Sequence, residues 1–219
     1  MTQAQETEGV IKFRLDFQSA EPPDGASYAE LNAWRTLLFK LGLTGIDPAR
    51  YGGLAYGNVS RRLQNRSFLI SGTQTGGLPW LNASHYCVAD DCDIGANWLV
   101  AHGPIRPSSE ALTHGAVYQV SAQTNFVFHV HSPEIWRAAG TLGIPMTHPD
   151  AAYGSLEMAR EVAALLKDDA THIIAMGGHR DGLLSVGEHP EDAALPMIQM
   201  LAQALFRDGR AKSSGYGLP

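Results

Sequence analysis

Lysine is scarce in this chain. Only Lys12, Lys40, Lys167 and Lys212 occur in 219 residues, and none lies in an apolar strand. Lys12 is on the polar side of an alternating segment, Lys40 and Lys167 fall near the C-terminal ends of expected helices, and Lys212 is in the tail. A Schiff-base mechanism needs a desolvated amine, so carbonyl chemistry would have to use a metal as its electron sink. Cysteine is scarcer still, with only Cys87 and Cys92 in the acidic segment Cys87-Val-Ala-Asp-Asp-Cys92. That falls short of the two tighter pairs of a structural zinc site and reads as two reduced thiols. No basic stripe offsets the formal net charge of -6, which argues against a nucleic-acid partner. No apolar run approaches the roughly 20 residues that span a bilayer, so no membrane association is expected. Met1 to Gly9 is polar and acidic with no apolar core. No secretory signal is therefore expected, and the expected location is cytoplasmic.

Hydrophobic residues make up 44% of the chain, enough for one sizeable domain. Ile11, Phe13, Leu15 and Phe17 alternate with charged residues and read as a half-buried strand at an edge. Residues 27–41 read as an amphipathic helix with Ser27 as N-cap. Short strands are expected at 54–63, 68–70, 86–88 and 98–101. A helix follows from Arg106 to about Ser121, then a buried strand at 126–131. Helices are expected at 133–142 and 154–167, and a closing strand pair at 172–176 and 182–186. The last helix, 190–206, should bend or break at Pro196. This order fits a single α/β domain in three layers, one mixed sheet covered by helices on both faces. The domain is taken as 27–208, with an N-terminal strand and extension (1–26) and a flexible tail (209–219).

Phe126-Val-Phe-His129-Val-His131 is the most informative segment. In a strand, positions i and i+2 share a face. His129 and His131 then project together, with Phe128 and Val130 packing behind. Two adjacent imidazoles are half of a catalytic metal site, or else a hydrogen-bonded pair near a strand end. His179, in Gly177-Gly178-His179, follows an apolar strand, and its glycines would let the backbone turn sharply. Three histidines leave an open position for substrate, the usual arrangement for catalytic zinc. The other six histidines read as core or surface residues. His114, one helical turn after Glu110, is the reserve candidate.

Ser108-Ser109-Glu110 opens a helix. With a serine as N-cap, Glu110 lies in the first turn, where an acidic residue favours the dipole and completes the cap. The same amides and hydroxyls make an anion site, and a carboxylate beside it could shuttle protons. Gly57-Asn58-Val-Ser60 and the loop from Ser71-Gly72 to Gly77 are glycine-containing turns whose amides could meet a phosphate or carboxylate. Each reads equally as a plain turn.

The order of these motifs resembles the class II aldolase/adducin family, the fold of fuculose-phosphate aldolase and ribulose-phosphate 4-epimerase. The matching pieces are Gly57-Asn58-Val-Ser60, Ile70-Ser71-Gly72, Pro107-Ser108-Ser109-Glu110, His129-Val-His131-Ser132, and His179 before an apolar strand ending in Gly187. The resemblance spans about residues 28–205. It implies a three-layer αβα fold with a central mixed, largely antiparallel sheet. It implies a zinc (or manganese) site of His129, His131 and His179, with Glu110 as acid/base. It places Asn58, Ser71, Gly72, Ser108 and Ser109 around a substrate phosphate or equivalent anion. It also implies a homotetramer with active sites at subunit interfaces. Some members take a catalytic tyrosine from a neighbouring subunit, and Tyr153 is the nearest match.

The activity so implied is that of a metal-dependent aldolase/lyase. It would cleave a C–C bond in a small, phosphorylated sugar or keto acid through a metal-stabilised enediolate. Epimerase, dehydratase and decarboxylase chemistry start from the same site. A non-catalytic adducin-like interaction module, or a plain metal-binding domain, is the alternative from another class. Common members continue directly with glycine after the third histidine, whereas Arg180-Asp181 intervene here. Asp181 could orient His179, Arg180 could bind a substrate carboxylate, or both could lie at the surface. The segment between the histidine pair and His179 is also short, which trims the loops that choose the substrate.

Overall fold

The computed structural model describes residues 9–167 and 172–214. The stretch before Gly9 and the last five positions, read as extension and tail, lie outside the described residues. The elements run β1 (Arg14–Ser19), α1 (Gly25–Lys40), β2 (Gly45–Ile46), β3 (Ala55–Tyr56), β4 (Asn58–Arg62), β5 (Phe68–Ser71), β6 (Tyr86–Asp93), β7 (Trp98–Gly103), α2 (Ala111–Val120), β8 (Phe126–His131), α3 (Pro133–Leu142), α4 (Leu156–Leu165), β9 (Ile173–Ala175), β10 (Gly182–Gly187) and α5 (Pro190–Ser214).

Eight strands form one sheet in the order β1-β7-β6-β5-β4-β8-β10-β9, and β2 and β3 pair separately. Only β1 and β7 run parallel; the other pairs of the large sheet are antiparallel. β8 is buried along its whole length, so its apolar run is continuous, as in a strand covered on both faces. Val127 packs into a cluster with Ile70, Leu112 and Met158, under α2 and α4. Phe126, Phe128 and Val130 pack oppositely with Leu31, Ile135 and Met197, under α1, α3 and α5. The result is a three-layer αβα architecture. No helix among the described residues is long and apolar enough to cross a membrane.

Several boundaries differ from the sequence reading. β1 starts at Arg14 rather than Ile11. α1 begins at Gly25 after an Asp24 N-cap, so Ser27 lies inside the helix. α4 begins at Leu156 because the Ser155 hydroxyl caps it, accepting from the Met158 amide. α5 neither breaks at Pro196 nor ends at Phe206, but continues to Ser214. An internal proline costs a helix about 3 kcal/mol. Ala193, Ala194 and Met197, wholly buried around it, hold the helix on the sheet.

Candidate metal centre

Strand register assembles most of the site. On β4, Asn58 stands opposite His129; on β10, Leu184 and Gly182 stand opposite His129 and His131. His129 and His131 share the face of Val127, the one that α2 covers. His179 arrives on the tight connection between β9 and β10, where its amide donates to the Met176 carbonyl. The glycines before it do not serve a left-handed turn. Instead, a Cβ on Gly177 would collide with the Thr147 carbonyl, and one on Gly178 with the Ala151 carbonyl. Close backbone approach is what requires glycine there.

One ligand atom from each of His129, His131 and His179 lies within 4.8 Å of the others, and all three residues are buried. His129 Nδ1 is 3.0 Å from the Leu183 carbonyl. A carbonyl only accepts, so Nδ1 carries the proton and Nε2 keeps its lone pair. That Nε2 faces His131 Nε2 at 3.2 Å. Two nitrogens bound tetrahedrally to one zinc-sized ion would stand about 3.3 Å apart. Burial first, and then the neighbouring His179, hold the His129 and His131 pKa values well below the ordinary histidine range. Both rings are therefore neutral, as metal ligands must be. The donor set fits a divalent metal ion with one coordination position left open.

Glu110 is 1% exposed, and its Oε1 lies 3.5 Å from His179 Nδ1. It does not sit in the first turn of α2, as the sequence reading had it. Glu110 is itself the N-cap residue, and its side chain makes no capping bond. Its amide is held by the Ser108 hydroxyl at 3.3 Å, and the carboxylate turns toward the histidines. Tyr153, matched to a tyrosine from a neighbouring subunit, lies beside the histidines of its own chain. Its ring is 1% exposed and 4.9 Å from that of His179. Lys12 Nζ sits 3.7 Å over the Tyr153 ring and donates to the Tyr153 carbonyl.

A narrow cleft of about 20 Å³ opens beside His129, room for about one water. Asn58, Gly72, Ser108, Ser109 and Glu110 line it, together with Gly9 from the N-terminal segment. The buried Asn58 Oδ1 has no hydrogen-bond partner among the described residues. Ser71 is not in the lining; its hydroxyl accepts from the Val59 amide and braces β4 against β5. The Gly72 amide is spent on the His85 carbonyl, and its missing side chain makes room for Ile105. Gly72 is thus a wall and not an amide donor.

Two further residues near the site are His114, the reserve candidate, and Tyr51. His114 is wholly buried, with Nδ1 2.6 Å from the Ser60 hydroxyl, which in turn is 2.7 Å from the Tyr118 hydroxyl. Burial pushes the His114 pKa down to about 3. His114 is thus tied to a buried polar chain, outside the histidine cluster. Tyr51, not singled out at all, places its ring edge-on to His131 at 4.6 Å and donates from its hydroxyl to Asp181 Oδ2 at 2.9 Å. Burial, and then Asp181, raise the Tyr51 pKa, so the hydroxyl stays protonated. Asp181 is 5% exposed, whereas the Arg180 side chain is 82% exposed. Tyr51 and Asp181 both have left-handed backbones, with φ of 53° and 64°, a conformation costing each about 1–3 kcal/mol. The two residues between the third histidine and glycine were the only sequence signal for this contact.

Comparison with known proteins agrees with this architecture. The structure is similar to L-fuculose-1-phosphate aldolase from Thermus thermophilus, with TM-score 0.63 and 21% identity, covering 90% of this chain and 100% of that one. It is similar to a sugar-phosphate aldolase from Thermotoga maritima, with TM-score 0.63 and 15% identity over 88% and 97% of the two chains. An aldolase II superfamily protein from Pseudomonas syringae gives TM-score 0.61 and 19% identity, over 90% and 80%. At these identities the likeness is one of fold. The sequence profile described as Class II Aldolase and Adducin N-terminal domain matches residues 47–204, most of the chain, and the chain therefore belongs to the class II aldolase and adducin N-terminal domain family.

Proposed function

We propose that the protein is a metal-dependent aldolase-type lyase that cleaves a C–C bond in a small sugar or keto acid bearing a phosphate. One observation carries this reading: a buried carboxylate, Glu110, 3.5 Å from one of three converging histidines. An interaction module does not require that carboxylate, and a plain metal-binding domain would use it only to orient His179. Names of structurally similar proteins, among them sugar-phosphate aldolases, support the substrate class.

In this reading His129, His131 and His179 hold the metal, zinc or manganese. When bound, it supplies Lewis acidity toward the substrate oxygens. Glu110 delivers a proton to the carbon left by cleavage, and removes it in the condensation direction. Tyr153 is the second proton-handling group, at the oxygen of the departing carbonyl compound. Asn58, Ser108 and Ser109 bind the distal anion through the cleft, with Gly72 as its wall and Ser71 holding β4 and β5 together beneath it. This fixes the substrate along the histidine cluster. Membership of the class II aldolase and adducin family supports a homotetramer with active sites at the subunit interfaces. We assign the catalytic unit to residues 27–208, with β1 closing its sheet edge, and place the protein in the cytoplasm.

The test is an aldol-cleavage screen with a panel of sugar phosphates and phosphorylated keto acids, on protein of measured metal content. Cleavage that is abolished in Glu110→Gln, with metal retained, supports the lyase. Metal-loaded protein that isomerises, dehydrates or decarboxylates the panel without cleavage would move the reading to epimerase, dehydratase or decarboxylase.

A further inference from the structure

We infer that Tyr51 and Asp181 form a positioning pair that sets the His131 ring and ties the two histidine-bearing segments, β8 and the turn before β10, together. The inference rests on the histidine cluster being a metal site. His129 has its orientation set by the Leu183 carbonyl. The ring of His131 is instead packed between Tyr51, at 4.6 Å and 77°, and Tyr56, at 5.3 Å and 38°. The two tyrosines also meet edge-on at 5.2 Å. Tyr51 cannot swing away from His131 while its hydroxyl is bonded to Asp181 Oδ2.

Asp181 grips the same strand end from a second direction. Its carbonyl accepts from the amide of Ser132, the residue next to His131. It also lies two residues from His179, so one residue links the turn carrying His179 to both the backbone and, through Tyr51, the ring of His131. Groups outside the ligand shell that hold ligand rings commonly contribute tenfold or more to metal affinity. Arg180, turned to solvent with Nε 3.9 Å from the carboxylate, is not needed for the grip.

The test uses cobalt(II) alone as the probe, titrated into metal-stripped full-length protein and followed by its visible absorption. Tyr51→Phe keeps the ring and deletes only the hydroxyl. Asp181→Gly removes the carboxylate without strain in a left-handed backbone. Asp181→Asn keeps an acceptor for Tyr51 and tolerates the same backbone. Tyr51→Phe and Asp181→Gly are expected to weaken cobalt binding by about tenfold and to shift the absorption band, with Asp181→Asn recovering most of both. Metal-free melting curves show whether each variant folds; if Asp181→Gly does not, Tyr51→Phe decides. Affinities within about twofold of wild type and superimposable spectra would overturn the pairing while leaving the metal site intact. Wild-type protein that binds no cobalt would overturn both.

Discussion

Glu110 Oε1 and His179 Nδ1 stand 3.5 Å apart, and each side chain is only 2% exposed. A carboxylate so removed from water is costly to maintain without a cationic partner nearby. A divalent ion bound at the neighbouring histidines would meet that need. Under the proposed function the pairing would divide the work between segments, with β8 and the turn before β10 supplying metal ligands and the start of α2 the proton carrier.

Glu110→Gln keeps the shape of the side chain and removes its basicity. It is expected to retain near-stoichiometric metal and to lose about 10²–10⁴ in kcat, the usual worth of a positioned acid or base. Turnover and elemental analysis on the same preparation check this. An unimpaired variant would reduce Glu110 to a structural residue.

His129→Ala and His179→Ala each remove one of the three proposed ligands and should lose bound metal after dialysis. Inductively coupled plasma mass spectrometry reads the outcome. Full retention in both would remove the site as described.

Ser60→Ala strips the Tyr118 hydroxyl and His114 Nδ1 of a shared buried partner. The expected loss is about 1–3 kcal/mol of stability, seen as a lower urea midpoint with unchanged slope. Ser60→Thr, which keeps the hydroxyl, should lose less.

Acidification should destabilise the metal-free protein. His114 has a folded pKa of about 3, against about 6.5 unfolded. Between these values the unfolded chain binds the extra proton, so stability is complete above about pH 6.5 and falls as pH drops toward 3. The lowered His129 and His131 act with the same sign. Each such histidine contributes a slope of up to about 1.4 kcal/mol per pH unit below its unfolded pKa. Urea midpoints at pH 7, 6 and 5 measure the slope, and His114→Gln should reduce it.

The layered fold was legible because β8 announces itself. A six-residue apolar run with histidines at i and i+2 has few other readings, and both covering helix layers show in the spacing around it. Boundaries were less legible where side chains choose them, as with the Ser155 cap or the packing that carries α5 past Pro196. The histidines and Glu110 could be named from residue type and order. What Gly72 does could not, since its amide partner, His85, and the side chain that crowds it, Ile105, are set by tertiary approach. Tyr51 was invisible for the same reason. Its contact with Asp181 spans 130 positions, and no local pattern encodes it.

The sheet order has a consequence for how the protein matures. β4, β8 and β10 are neighbours in the sheet, but they start at residues 58, 126 and 182. His129 and His179 meet only after the chain between them has folded over as α3, α4 and β9. Contacts of such sequence separation are slow to form, because long loops must close first. A metal held by the three histidines would therefore arrive at a finished scaffold instead of nucleating it. It would add stability by mass action, in proportion to the logarithm of its free concentration, and a nascent chain that has not yet emerged past β9 would have no complete histidine set to offer.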